Sequence, residues 1–161
     1  LAQGGVVNGP RRPDRQKESM MADYDDDNIF AKILRKEIPS FKVYEDDKTY
    51  CFMDIMPRAE GHCLVIPKSP CRNMLDASAT QLADCMATVQ KVANGCLRAL
   101  GADGITVQQF NEAAGGQEVF HLHYHILPRH AGDSLRPPGV QGDMDRIREQ
   151  ADAIAAALGT G

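Results

Sequence analysis

Residues 121–125 read His121-Leu122-His123-Tyr124-His125, followed by the apolar pair Ile126-Leu127. In an extended strand successive side chains point to opposite faces. A period of two therefore sets the three histidines in one row and Leu122, Tyr124 and Ile126 in another behind it. One face is apolar enough to lie on a core, and the other gathers three of the chain's five histidines. An imidazole with a pKa near about 6.5 holds or releases a proton at neutral pH, so such a row can supply a nucleophile, a proton donor or a metal ligand. The alternation is too regular to credit to packing. Taken alone, the row suits a zinc site and nucleophilic catalysis equally, because His-x-His on a strand with a third ligand nearby is also a zinc donor set.

The row is entered through Asn111-Glu112-Ala113-Ala114-Gly115-Gly116-Gln117-Glu118-Val119-Phe120. A glycine pair lets successive backbone N–H groups converge on an anion, as in a phosphate cradle. Glycines also serve hairpins for purely conformational reasons, but next to a histidine row they favour phosphate chemistry.

Working outward, periodicity places the other elements. Asp27 or Asn28 can cap a short helix running to about Lys36, which Pro39 prevents from continuing far. Residues 42–46 and 49–55 read as a strand pair and residues 61–67 as a third strand. Ser78-x-x-Gln81 is a capping-box pattern opening a long helix. Its apolar stripe is Leu82, Met86, Val89, Ala93, Cys96, Leu97 and Leu100, and Gly101 ends it. Residues 104–110 and 118–127 then form a hairpin across the glycine loop. Met144, Ile147, Ala151, Ile154 and Leu158 mark a terminal helix whose stripe must dock on this sheet or on a partner. This order predicts an α+β fold, with an antiparallel five-stranded sheet, one long helix and a C-terminal helix.

The 161 residues suffice for one core and contain no internal repeat. Residues 1–22 are rich in Gly, Pro, Arg and Gln and lack the apolar run of a secretory signal, so they read as a disordered arm. The chain begins with Leu, and Met20-Met21 stands at the edge of the patterned region. The arm is therefore expected to be a cloning remnant or an upstream extension, and residues 23–161 the one folded domain. A net charge of −4 with no basic stripe and no tryptophan argues against a nucleic-acid partner. No stretch approaches the roughly 20 apolar residues of a membrane span. Cys51, Cys63, Cys71, Cys85 and Cys96 form no Cys-x-x-Cys, a usage that suits reduced thiols in a cytoplasm.

On the strand from residue 49, Phe52 and Asp54 share a face. A ring can pack on a base while the carboxylate accepts hydrogen bonds from ribose hydroxyls. Phe52 could equally be core, and Asp54 a strand-end cap.

The segment from Asn111 to Arg129, with its Gly-Gly-Gln-x-Val-x-His-x-His-x-His-apolar-apolar-Pro-Arg pattern, resembles the signature of the histidine triad (HIT) superfamily of nucleotide hydrolases and transferases. Upstream, Ile29 through Pro39, Tyr44-Glu45-Asp46-Asp47, Phe52-Met53-Asp54-Ile55-x-Pro57 and Gly61-His62-x-Leu64-Val65-Ile66-Pro67-Lys68 resemble its Hint branch in order and spacing. The resemblance implies the HIT-like fold, in which two protomers join through the long helix and an edge strand into a homodimer with one continuous sheet.

It also implies a site. Ile29, Phe30, Ile33 and Ile38 match base-pocket positions, with Phe52 and Ile55 beside the nucleoside and Asp54 on the ribose. Asn111, Gly115, Gly116, Gln117, Glu118 and Val119 would surround the phosphate. His123 would be the nucleophile, one ring nitrogen donating to a backbone carbonyl and the other aimed at the α-phosphorus. His125 would bind the phosphate and the leaving group, His121 would orient the others, and His62 would join the phosphate site.

The implied reaction is hydrolysis of a purine nucleoside phosphoramidate, or of a mixed anhydride such as an aminoacyl adenylate. It passes through a nucleotidyl-histidine that water releases as the nucleoside monophosphate. Dinucleoside polyphosphate hydrolysis is the alternative within the family. Non-catalytic nucleotide binding and metal binding are the alternatives outside it. No cofactor and no metal is called for.

The chain departs from the family pattern in places. Many bacterial members carry Cys-x-x-Cys in the first helix and a histidine after the Ile-Pro-Lys strand, together holding a structural zinc. Asn28, Ala31 and Ser69-Pro70 stand at those positions here, so no structural zinc is expected. The loop before the triad is one residue short and lacks the usual Gly after Asn-x, and Glu118 stands where some relatives place a serine that touches phosphate.

Overall fold

The computed structural model describes residues 22–159. The arm expected over residues 1–22 lies outside the described residues, apart from Ala22.

Helix α1 (Ile29–Leu34) starts where expected, because the Asn28 side-chain oxygen accepts the N–H groups of Phe30 and Ala31. It ends at Leu34, short of Lys36, whose left-handed φ of 62° is incompatible with a helix. Strands β1 (Lys42–Glu45), β2 (Thr49–Met53), β3 (Cys63–Pro67), β4 (Gly104–Gln108) and β5 (Tyr124–Arg129) form one antiparallel sheet in the order β1-β2-β3-β5-β4. Strand β4 is thus an edge.

Alternation along the strands separates two apolar layers. Cys51 and Met53 of β2, Cys63 and Val65 of β3, and Tyr124 and Ile126 of β5 face the larger core, to which the long helix α2 (Ala79–Leu100) brings Cys85, Val89, Val92 and Cys96. Phe52, Leu64 and Ile66 face the other way and pack with Phe30 and Ile33 of α1. This second layer floors the site.

The Ser78/Gln81 capping box opens α2, and Gly101 closes it at φ 61°. Its buried face differs from the expected stripe. Met86 is 47% exposed, and Cys85, Thr88, Val92 and Gly95 are buried instead. The reason is that α2 is covered on two sides, by the sheet and by the C-terminal helix α3 (Met144–Leu158). The helices approach closely at Gly95, where an added Cβ would lie 2.7 Å from a Leu158 methyl. The α3 stripe of Ile147, Ala151 and Ile154 therefore docks within its own chain, on α2 and the sheet.

The last hairpin also differs from the expected one. β5 starts at Tyr124, not near residue 118, and residues 109–123 make a long excursion between β4 and β5. The excursion is held by the chain after β3: the Leu122 N–H donates to the Cys71 carbonyl at 2.9 Å, and Gln117 Nε2 to the Arg72 carbonyl at 2.8 Å. The Leu122 bond commits a backbone donor that a longer β5 would have used in its ladder, and the Gln117 amide ties the excursion down from its side chain. All five cysteines are buried free thiols. Among the described residues no helix is long and apolar enough to cross a membrane.

Candidate active site

Hydrogen bonds assign the proton on each of the four clustered imidazoles. His123 Nδ1 lies 2.7 Å from the His121 carbonyl. A carbonyl only accepts, so Nδ1 carries the hydrogen and Nε2 keeps its lone pair. His121 Nε2 faces the Pro67 carbonyl at 2.9 Å, which leaves Nδ1 to accept from the Tyr24 hydroxyl at 2.6 Å. His62 Nδ1 accepts the Arg58 backbone N–H at 3.0 Å, so its hydrogen sits on Nε2 and points at His125 Nδ1, 2.9 Å away. His125 in turn carries its hydrogen on Nε2.

His123 and His125 sit side by side with ring centroids 5.0 Å apart, the first offering a lone pair and the second an N–H. The two-residue alternation persists at His123, one position before β5 begins. His121 stands deeper, fully buried, and touches the site only through its carbonyl and ring edges.

Burial disfavours the charged form of these rings, because a charged imidazole loses hydration that its neighbours replace only in part. Burial pushes His121 down to about 4. For His62 burial acts together with the positive charge of Arg58, and the value again falls to about 4. For His125 burial, the neighbouring histidines and Arg58 lower it to about 3. Burial also lowers His123, against the opposing pull of its carbonyl acceptor and of Glu118.

His123 and His125 open into a cleft of about 330 Å³. Its apolar lining comes from Ile29, Phe30, Ile33, Ile38, Phe52 and Leu64, with the Phe30 ring edge-on to His123 at 5.0 Å. The two histidines share the lining with Asp54, Arg58, Phe110 and Pro138. Ile55 is at the rim, 46% exposed, and Gly116, Glu118 and Val119 come from the excursion.

Asp54 stands just beyond β2 on the same side as Phe52, as alternation requires. One carboxylate oxygen accepts the Met56 N–H at 2.8 Å, and the other lies 3.5 Å from His62 Nε2. Burial raises its pKa against the Met56 hydrogen bond.

Three expected phosphate residues lie outside the cleft lining. Asn111 bonds the Met74 N–H and Gln109, while Gly115 is exposed on the far side of its turn. Gln117 is buried and ties together Arg72, Asn73, Glu112 and Val119. The glycine turn is also not a free N–H cradle. The N–H groups of Gly115 and Gln117 donate to the Glu112 carbonyl, and that of Gly116 to the Ala113 carbonyl. Those of Glu118 and Val119 have no acceptor among the described residues and belong to the stretch that lines the cleft.

The structural zinc position does not fit a metal: the Asn28 amide is committed to capping α1 and to Tyr24, and Ala31 has no donor atom. Asp54, His62 and His125 place one potential ligand atom each within 4.8 Å of one another. A cation there would have to replace the His62 proton and face the charge of Arg58.

Reading the sequence missed Tyr24, Arg58, Phe110 and Pro138. Tyr24 precedes any periodic element, and Pro138 lies in a loop far from the motifs. Arg58 carried a usable signal, since it is a cation four residues from His62.

A family model described as HIT domain matches residues 35–132. Adenosine 5′-monophosphoramidase HNT1 of Saccharomyces cerevisiae is 35% identical over 145 residues, covering 88% of this chain and 89% of that protein. Adenylylsulfatase HINT3 of Arabidopsis thaliana is 38% identical over 109 residues, or 68% of this chain, and the match spans 55% of that protein's length. The crystal structure of a Hit-like protein involved in cell-cycle regulation from Bartonella henselae superimposes with a TM-score of 0.80 at 53% identity, covering 83% of this chain and 98% of that one. By the matched domain, by these relatives and by its fold, the chain belongs to the HIT family.

Proposed function

We propose that this protein is a nucleotidyl hydrolase that cleaves purine nucleoside phosphoramidates or mixed anhydrides at the α-phosphorus. The observation that carries the reading is the pair of complementary tautomers: His123 Nε2 with a free lone pair beside His125 with its N–H, in an apolar-lined cleft. The names of two relatives, a monophosphoramidase and an adenylylsulfatase, support an adenylyl group as the part bound.

The base packs among Ile29, Phe30, Ile33, Ile38 and Phe52, and Asp54 accepts from the ribose. His125 Nε2–H and the N–H groups of Glu118 and Val119 bind the phosphate oxygens. His123 Nε2 attacks phosphorus, and the leaving group departs with the electrons of its bond. Its amine form takes its proton from a zwitterionic substrate. Water then releases the monophosphate. Two easier displacements replace one hard one, and the fixed donors need no reorganisation as charge develops. His121 holds His123 through its carbonyl, and His62 fixes the His125 tautomer.

We place the protein in the cytoplasm, where its buried thiols stay reduced. We also pair it as a homodimer through α2 and the β4 edge, where Met86 and Val107 are exposed. Light scattering reporting a monomer at micromolar concentration would remove the dimer.

The deciding experiment is His123→Ala with adenosine 5′-phosphoramidate. Turnover is expected to vanish while adenosine monophosphate still binds, and quenched wild-type enzyme should carry a nucleotidyl adduct on His123. Substantial turnover by a clean His123→Ala preparation refutes the covalent route.

A further inference from the structure

We infer that Tyr24, from the segment before α1, is a positioning residue for the nucleophile: its hydroxyl fixes the His121 ring and, through the His121 carbonyl, holds the His123 hydrogen on Nδ1. The inference deepens the nucleotidyl-transfer reading above, on which it rests.

Each hydrogen in this chain of bonds has a defined direction. The Asn28 side-chain oxygen accepts the Phe30 and Ala31 N–H groups at the start of α1, so Nδ2 is the atom turned toward Tyr24, whose oxygen accepts it at 3.0 Å. The same amide nitrogen donates to the Asp25 carbonyl at 2.7 Å, in agreement with that orientation. With the amide as donor, the Tyr24 hydroxyl has its own hydrogen left for His121 Nδ1, 2.6 Å away. Burial raises the Tyr24 pKa above that of an ordinary phenol, against the Asn28 hydrogen bond, so the hydroxyl keeps its hydrogen at neutral pH.

His121 is fully buried and its ring is pinned at both nitrogens, Nε2 by the Pro67 carbonyl and Nδ1 by Tyr24 alone among the described residues. The Tyr24 ring also stands edge-on to it, with centroids 5.6 Å apart. Without the hydroxyl, Nδ1 becomes a buried acceptor with no donor, and residue 121 shifts to relieve it. That residue supplies the carbonyl 2.7 Å from His123 Nδ1. A neutral imidazole carries its hydrogen where an acceptor waits, so displacing this carbonyl lets hydrogen occupy Nε2, and that tautomer cannot attack phosphorus. Tyr24 itself is not among the residues lining the cleft, so contacts to a bound nucleotide do not depend on it. It also lies before the matched HIT domain, which begins at residue 35.

The test is Tyr24→Phe, which removes one oxygen and keeps the ring. Imidazole ¹⁵N NMR should show His123 of the wild type in a single tautomer with hydrogen on Nδ1, and His123 of the variant in a mixture. Nucleotidylation of His123 by adenosine 5′-phosphoramidate, followed by rapid quench, should slow about tenfold or more, the scale on which one hydrogen bond counts. Calorimetry should find AMP affinity unchanged. Asn28→Asp supplies an independent arm, because it keeps a capping oxygen but offers the Tyr24 hydroxyl an acceptor that draws its hydrogen away from His121. It should reproduce the mixed spectrum, and the double variant should be no slower than Tyr24→Phe. A single His123 tautomer or an unslowed adduct in Tyr24→Phe, even with a lowered melting temperature, makes Tyr24 an anchor of its segment and overturns the inference. So does a loss of AMP affinity matching the loss of rate, or additive slowing in the double variant. If the wild type itself forms no adduct, the nucleotidyl-transfer reading fails, while the spectra still decide whether Tyr24 sets the His123 tautomer.

Discussion

Glu112 is the most strained residue of the site's supporting loop, and the strain can be measured. Its backbone sits at φ 62° and ψ 162°, a conformation populated almost only by glycine. The carboxylate holds it there: Arg72 Nε and Nη2 donate to it at 2.8 and 2.9 Å, and Asn73 Nδ2 at 2.7 Å. Gln117 accepts the Glu112 N–H at 2.8 Å, and the Arg72 guanidinium stacks 4.0 Å above the Phe120 ring. This latch sets the path of the loop that delivers Gly116, Glu118 and Val119 to the cleft. Glu112→Ala and Glu112→Gly both lose the carboxylate, so their difference isolates the backbone. Keeping a Cβ in this region costs about 1–3 kcal/mol, and the extra chain entropy of glycine offsets about 0.5–1 kcal/mol of that. Glu112→Gly should therefore be the more stable by roughly 0.5–2 kcal/mol, a few degrees in melting temperature for a chain of this size. Urea unfolding of the two variants with equal slopes gives the number directly. If Glu112→Ala equals or exceeds Glu112→Gly, the loop relaxes when the latch is cut, and the strain argument is wrong.

Asp54 has one oxygen engaged by the Met56 N–H, which leaves the other for ribose. Asp54→Ala should weaken AMP binding by about 1.5–3 kcal/mol, the range for a hydrogen bond to a charged group, and erase a preference over the 2′,3′-dideoxy analogue. Equal weakening of both ligands in calorimetry would make Asp54 a turn cap only. Folded-state pKa values near 4, 4 and 3 for His62, His121 and His125 lie below the unfolded value of about 6.5. Between those limits unfolding takes up protons, so stability should be level above pH 7 and fall steadily as pH drops from about 6.5 toward 4. A melting temperature independent of pH across that window contradicts the neutral buried cluster. With Asn28 spent on capping α1 and no sulfur at position 31, dialysis against EDTA should change neither melting temperature nor turnover. Loss of either, restored by zinc, would show a structural metal after all.

The elements that local chemistry dictates were legible in the sequence. Ser78 and Gln81 announced the start of α2 and Gly101 its end. Alternation sorted Phe52 and Asp54 to the side of the site, and Leu122, Tyr124 and Ile126 to the core. The pairing of His123 with His125 followed from the same period of two. Features that depend on what packs from elsewhere were not legible. Met86 and Cys85 are both plausible on an apolar stripe, and only the second covering layer, α3, decides which is buried. Before Tyr124 the chain leaves the sheet, the Leu122 N–H going to the Cys71 carbonyl and the Gln117 side-chain amide to the Arg72 carbonyl, both far back in the chain. The direction of each imidazole proton is likewise set by distant acceptors and donors, Pro67, Tyr24 and Arg58 among them. A pattern of residue types carries the hydrophobic periodicity of each element, whereas hydrogen-bond direction and burial are properties of the assembled neighbours. The sequence alone determined which histidines share the site, and only the tertiary structure decided which of them offers a lone pair, which a proton, and which residues from distant loops join them.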